Sequence, residues 1–218
     1  MKIAVLGTGI VGRNLATKLV QLGHEVKMGS RTANNKDAVA WAQTTGKGAA
    51  CGTFADAAAF GEIIFNCTNG VHTIEALKLA GENNLNEKVL VDVANPLDFS
   101  TGELRLTISN TDSLGEQVQR TFPKTKVVKA LNTVNTEVQV NPAILLGDHD
   151  LFISGNDVAA KAKVMEILKS FGWKSIIDLG DLKAARGMES LLLLWIQLAN
   201  KLSDYNFNYK VVSRKRTT

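Results

Sequence analysis

Residues 7–12 read Gly7-Thr8-Gly9-Ile10-Val11-Gly12. They follow a short apolar run, residues 3–6, and open a segment in which Ile10, Val11, Leu15, Leu19 and Leu22 share one face at helical spacing. A GxGxxG pattern is weak alone; between a strand and an amphipathic helix it reads as a cradle for a dinucleotide pyrophosphate. Gly7 permits the tight turn, Gly9 lets backbone N–H groups approach the phosphates, and Gly12 lets the helix pack close to the strand. The helix N-terminus adds its partial positive charge. Thr8, Ile10 and Val11 complete the contact set expected of this loop.

The same rhythm continues outward. Apolar runs predict strands at 3–6, 25–28, 49–52, 62–67, 88–93, 126–131, 150–154 and 175–178. Between and after them, helical spacing predicts helices at 10–22, 36–44, 56–60, 71–80, 113–122, 157–171 and 182–202. Strands alternating with helices predict a parallel sheet covered on both faces, an α/β fold of the Rossmann type, doubly wound, with a short C-terminal helical portion. The one boundary falls near 178–183. It divides a dinucleotide-binding domain, 1–180, from a C-terminal helix and basic tail, 181–218. The run Leu191 to Ile196 makes the last helix apolar nearly all round, which predicts deep burial or a homodimer seam.

The second strand selects the cofactor. NAD binders place an acidic residue about 20 positions beyond the loop, where it meets the ribose hydroxyls. Here the segment reads Met28-Gly29-Ser30-Arg31-Thr32, without a carboxylate. Ser30 and Thr32 offer hydroxyls, Arg31 offers a planar fork suited to phosphate, and Lys36 adds a second positive charge. This set predicts NADP(H), bound through the 2′-phosphate.

Three strand ends supply the remaining cleft: Cys67-Thr68-Asn69-Gly70, Ala94-Asn95-Pro96-Leu97 and Leu131-Asn132-Thr133-Val134-Asn135. All carry small amides and hydroxyls, and ligands in such sheets sit beyond the carboxyl ends of the strands. Cys67, Thr68, Asn69, Ala94, Asn95 and Pro96 are therefore expected cofactor contacts, with His72 at the start of the following helix. His24 is expected at the surface, and the Asp-His-Asp loop around His149 is not expected to bind metal.

Composition narrows the function classes. Hydrophobic residues make up 45% and charged residues 21% of 218, ordinary for a globular protein. The formal charge of +4 owes much to Lys210, Arg214, Lys215 and Arg216 at the end, without the aromatic interleaving of a nucleic-acid arm. That tail is read as solvated, and no nucleic-acid partner is expected. No apolar run approaches the ~18 residues that would span a bilayer. Two cysteines, Cys51 and Cys67, form no CxxC pair and fit a reducing, cytoplasmic compartment.

Taken with Gly29-Ser30-Arg31, the loop resembles that of NADP-dependent oxidoreductases using the deazaflavin coenzyme F420, and the reductase domain of the STEAP metalloreductases. The resemblance runs on through Val128-Lys129-Ala130-Leu131-Asn132-Thr133, Gly155-Asn156-Asp157, Asp178-Leu179-Gly180 and the helix bearing Glu189 and Ser190, about residues 1–200. It implies hydride transfer between NADPH and a flavin-like ring, often in a dimer, with Asn132 and Thr133 near the nicotinamide and the acceptor. Asn132 departs from the histidine typical of the F420 reductases and matches the STEAP-like domains. A flavin or F420 is thus the implied co-substrate; an iron chelate, a small carbonyl or imine substrate, and a non-catalytic NADP sensor stay open. Ketone reduction needs a proton donor, and no Tyr-Lys or Lys-Asn pair stands in a suitable motif.

Overall fold

Two glycines and a run of residues unable to face water set the first unit. The computed structural model describes residues 1–98, 100 and 102–214, so Lys215 and Arg216 of the basic tail lie outside the described residues. Strand β1 (Lys2–Leu6) leads into helix α1 (Ile10–Gln21), then β2 (Glu25–Ser30), α2 (Lys36–Thr45), β3 (Ala49–Thr53), α3 (Phe54–Phe60) and β4 (Ile63–Asn66). There follow α4 (Thr73–Ala80), α5 (Glu82–Leu85), β5 (Val89–Asp92), a ribbon of β6 (Leu97–Asp98) and β7 (Arg105–Leu106), α6 (Leu114–Thr121) and β8 (Lys126–Ala130). The chain ends with α7 (Thr136–Val140), β9 (Leu151–Gly155), α8 (Val158–Ser170), β10 (Ile176–Asp178) and α9 (Ala185–Leu202). The helices expected to start at 71 and 182 each begin with a 3-10 turn, Gly70–His72 and Leu182–Ala184.

The sheet order is β10-β9-β8-β5-β4-β1-β2-β3. From β1 the chain builds outward through β2 and β3, then returns to β1's other edge with β4 and continues through β5 to β8. That reversal opens a crevice at the carboxyl ends of β1 and β4. Six strands are parallel, as expected; β9 runs antiparallel to β8, with Ala130 opposite Ile153, and β10 is parallel to β9. The 131–150 connection re-enters the sheet at the same end of the strands that it left, so no crossover is needed.

Burial explains the strand pattern. Ile3, Ala4, Val5 and Leu6 are fully buried, as are Ile63, Ile64 and Phe65, because helices cover both faces. One face carries α1, α2, α7 and α8 through Leu15, Trp41, Val138 and Val164. The other carries α3 to α6 and the start of α9 through Phe54, Leu77, Leu85, Leu114 and Ala185.

Two expectations about apolar faces need correction. In α1 the inward stripe is Gly12, Leu15, Ala16 and Leu19, while Ile10 is 60% and Leu22 37% exposed. Ile10 stands at the first helical position, beyond the carboxyl end of β1, and Leu22 lies past the last turn. Helix α9 buries only one side, with Met188, Glu189, Leu192 and Ala199 inward and Leu194 exposed. Its Trp195 is covered by the chain's own end: Phe207 stacks on it with centroids 5.2 Å apart. That end is pinned to β9 by Asp150, whose N–H donates to the Tyr209 carbonyl at 2.9 Å and whose carboxylate accepts from Val211 N–H at 2.6 Å. His24 is half-buried rather than exposed.

Candidate functional site

The loop after β1 has the geometry its glycines predict. Gly7 takes a φ of +118°, a left-handed conformation that suits glycine, and a Cβ on it would lie 2.5 Å from the Cys67 carbonyl oxygen. A Cβ on Gly12 would lie 2.2 Å from the Gly7 oxygen, so α1 sits directly on the turn. Gly9 caps α1 with open space around it; no side chain caps the helix and its first turn has no acidic residue. The Arg13 guanidinium donates to the Thr8 carbonyl at 2.6 Å, and the half-buried Val11 turns toward the neighbouring strand ends.

Beyond β2, Ser30 is buried and its hydroxyl donates to the Thr32 carbonyl at 2.5 Å, which shapes the turn. Arg31, Thr32 and Lys36 are exposed. Among the described residues neither Arg31 nor Lys36 has a carboxylate partner, and the nearby Asp37 lies 4.0 Å from Arg13 instead.

The turns after β4 and β5 close on a cleft of about 210 Å³ lined by Val11, residues 67–70, residues 93–95 and Leu97. It thus gathers Val11, Cys67, Thr68, Asn69, Ala94 and Asn95, six of the expected contacts. Cys67 is half-buried and its thiol is pushed up by burial, with the Asp92 carboxylate adding to the effect, so it stays protonated. The hydroxyl of Thr68 donates to Asn66 Oδ1 at 2.7 Å, and Asn69 Oδ1 accepts from Val71 N–H at 3.1 Å, capping the 3-10 turn. These two side chains are engaged locally. His72 is exposed at the end of that turn and does not line the cleft, and Pro96 is buried with its carbonyl accepting from Thr107 N–H.

The turns are laced to one another. A Cβ on Gly70 would lie 1.9 Å from the Asn95 oxygen, so the β4 and β5 turns touch backbone to backbone. Asn95 and Asn132 exchange two hydrogen bonds: Asn95 Nδ2 donates to the Asn132 carbonyl at 2.8 Å, and Asn132 Nδ2 to Asn95 Oδ1 at 2.9 Å. Asn132 Nδ2 also donates to the Met188 carbonyl of α9 at 3.0 Å, while its buried Oδ1 has no partner. Asn132 and Thr133 are buried at 4% and 2% exposure, behind the cleft rather than in its wall. Leu131 holds a φ of +64°, uncommon for a bulky residue, and Gln139 Nε2 secures its carbonyl at 2.7 Å.

Sequence reasoning missed the group beneath. Lys129, fully buried, donates to Asp92 Oδ2 at 2.9 Å, to Glu189 Oε1 at 2.8 Å and to the Ala94 carbonyl at 2.5 Å. Burial alone would lower the ammonium's pKa; the carboxylates of Asp92 and Glu189 more than offset it and raise it. Asp92 Oδ1 accepts from Asn66 Nδ2 at 2.8 Å, and Glu189 accepts from Leu114 and Gly115 N–H at the start of α6. The available signal was a charge set among apolar residues in each of two strands, Asp92 in one and Lys129 in the other. Around His149, Nε2 donates to the Pro142 carbonyl and Nδ1 accepts from Asn208, and the described residues hold no cluster fit for a metal ion.

Comparison with known proteins places this geometry. The family described as NADP oxidoreductase, coenzyme F420-dependent, matches residues 2–96. A solved structure of a candidate F420-dependent NADP reductase from Arthrobacter sp. FB24 is 50% identical, with a TM-score of 0.94 over 98% of this chain and 100% of that one. The F420-dependent NADP reductase of Methanocaldococcus jannaschii is 29% identical over 98% of this chain and 99% of its own length. The metalloreductase STEAP3 of Rattus norvegicus is 30% identical over 88% of this chain, which spans only 36% of that protein.

Proposed function

The chain belongs to the family of coenzyme F420-dependent NADP oxidoreductases, and on that premise we propose that it passes hydride between NADP(H) and a flavin or deazaflavin ring of the F420 kind. It is an NADP-dependent oxidoreductase; the acceptor and the residue roles are the proposal. The uncapped N-terminus of α1 and the open space at Gly9 fit a pyrophosphate, taken by Gly7 to Gly12. Ser30, Arg31, Thr32 and Lys36 take the 2′-phosphate, supported by two cations without acidic partners among the described residues. Cys67, Thr68, Asn69, Ala94, Asn95 and Pro96 meet the nicotinamide half, Thr68 and Asn69 through their backbone, with His72 at the rim. Asn132 and Thr133 back the nicotinamide end from behind the cleft wall, Asn132 through its hydrogen bonds to Asn95.

The observation that carries the acceptor class is the cleft wall. Besides the protonated Cys67, its polar side chains are Thr68, Asn69 and Asn95, with no carboxylate, histidine or lysine among the described residues. Reducing a carbonyl needs a donor at the developing alkoxide; hydride transfer between two rings needs only that they be held in contact and water be kept out. When bound, NADPH would supply the hydride and the acceptor ring would take it, its ring nitrogen gaining a proton from solvent at the open rim; the chain's own residues would only hold the two rings in contact. The division at residue 180, a homodimer sealing the flank of α9 around Leu194, and a cytoplasmic workplace belong to the same reading. No helix of the described residues is long and apolar enough to cross a membrane.

The test is the pH dependence of turnover. With the acceptor's own ionisation accounted for, kcat should be level from about pH 6 to 9. A step near the ordinary histidine range that vanishes in His72→Gln would show a protein acid at work and favour the carbonyl or imine reading.

A further inference from the structure

We propose that Lys129 is a positioning residue for the nicotinamide end of the cofactor, acting through the turn at residues 94–96, with Asp92 and Glu189 as its anchors. This rests on the NADP(H) site proposed above. Lys129 is fully buried and reaches neither cleft nor solvent, so it acts only through what it holds.

What it holds is specific. The ammonium fixes the Ala94 carbonyl, and the same Asp92 that it pairs with accepts from Ala94 N–H at 3.3 Å. One ion pair therefore grips both backbone groups of the residue before Asn95. The backbone at Gly70 blocks Asn95 on another side, and the amide exchange with Asn132 fixes its side chain. Glu189 extends the grip to α9, next to Met188, whose carbonyl Asn132 uses. The cleft wall, the Asn132 amide and the C-terminal helix thus share one buried cation. Buried ion groups of this kind are often matched in stability by apolar residues of similar volume. Their use here is geometric: a reacting geometry is held by the groups that support its contacts.

The test uses two variants of the full chain. Lys129→Met leaves two buried carboxylates without their cation. In Lys129→Met with Asp92→Asn, the amide oxygen introduced by the second substitution can still accept from Asn66 and Ala94, and Glu189 keeps the α6 N–H groups. Calorimetry would compare NADPH with adenosine 2′,5′-bisphosphate, which carries the adenine and 2′-phosphate without nicotinamide. The folded double variant should bind the bisphosphate within about twofold of wild type, bind NADPH about tenfold more weakly, and turn over about 10–100-fold more slowly. Wild-type NADPH affinity and turnover in the folded double variant would overturn the proposal. Equal loss for both ligands, or failure of both variants to fold, would assign Lys129 a structural role and overturn it too. A wild-type chain that fails to bind NADPH would instead overturn the cofactor site itself.

Discussion

Arg31 carries its charge at the carboxyl end of β2 with no acidic partner among the described residues, beside the buried Ser30. An exposed cation gains little from a surface pair, but a planar fork facing a phosphate makes charge-assisted bonds. Arg31→Ala should weaken NADPH binding by about 1.5–3 kcal/mol and leave NADH binding almost unchanged. Equal loss for both cofactors, measured by titration, would remove the 2′-phosphate assignment. At this scale the turn at Gly7 was legible because its geometry is local. Asp92, Lys129 and Glu189 were not, because a charge within an apolar strand or helix has meaning only once its distant partners are known.

The strands were legible as elements because burial on both faces leaves a continuous apolar run, and GxGxxG marked which end of β1 carries the proposed cofactor loop. The reversal of β9 was not, since an apolar strand carries no mark of direction. Helix α7 and the β6–β7 ribbon are too short for a periodic signal. Contacts between turns are equally hidden, and Gly70 shows it: the sequence marks a turn, the structure a backbone pressed on Asn95. Gly70→Ala must separate the β4 and β5 turns, at about 1–3 kcal/mol of stability, a fall in Tm of roughly 2–12 °C. NADPH binding should weaken with it. Gly9→Ala, whose Cβ meets nothing within 4 Å, should lose no more than about 1 kcal/mol yet bind NADPH more weakly, because that space is where phosphate would sit. If Gly9→Ala binds like wild type, the pyrophosphate does not lie there.

Across the whole molecule one line of contacts runs from the phosphate loop to the C-terminal helix. It passes from Gly12 and Gly7 to Cys67, from Gly70 to Asn95, from Asn95 to Asn132, and from Asn132 and Lys129 to Met188 and Glu189. The pyrophosphate loop and the nicotinamide end of the proposed site therefore share one connected frame, and the C-terminal portion, which the sequence set apart as an appendage, contributes to it. Among the described residues the frame offers no acid or base to the cleft, which is the basis for proposing a flavin-like acceptor. The direct measurement is NADPH oxidation, followed by loss of its reduced-nicotinamide absorbance, against FMN, FAD, F420, ferric chelates, quinones and small carbonyls. Rapid turnover confined to one or more of FMN, FAD and F420 is the predicted result. Tight NADPH binding with no oxidation by any of those three would contradict it.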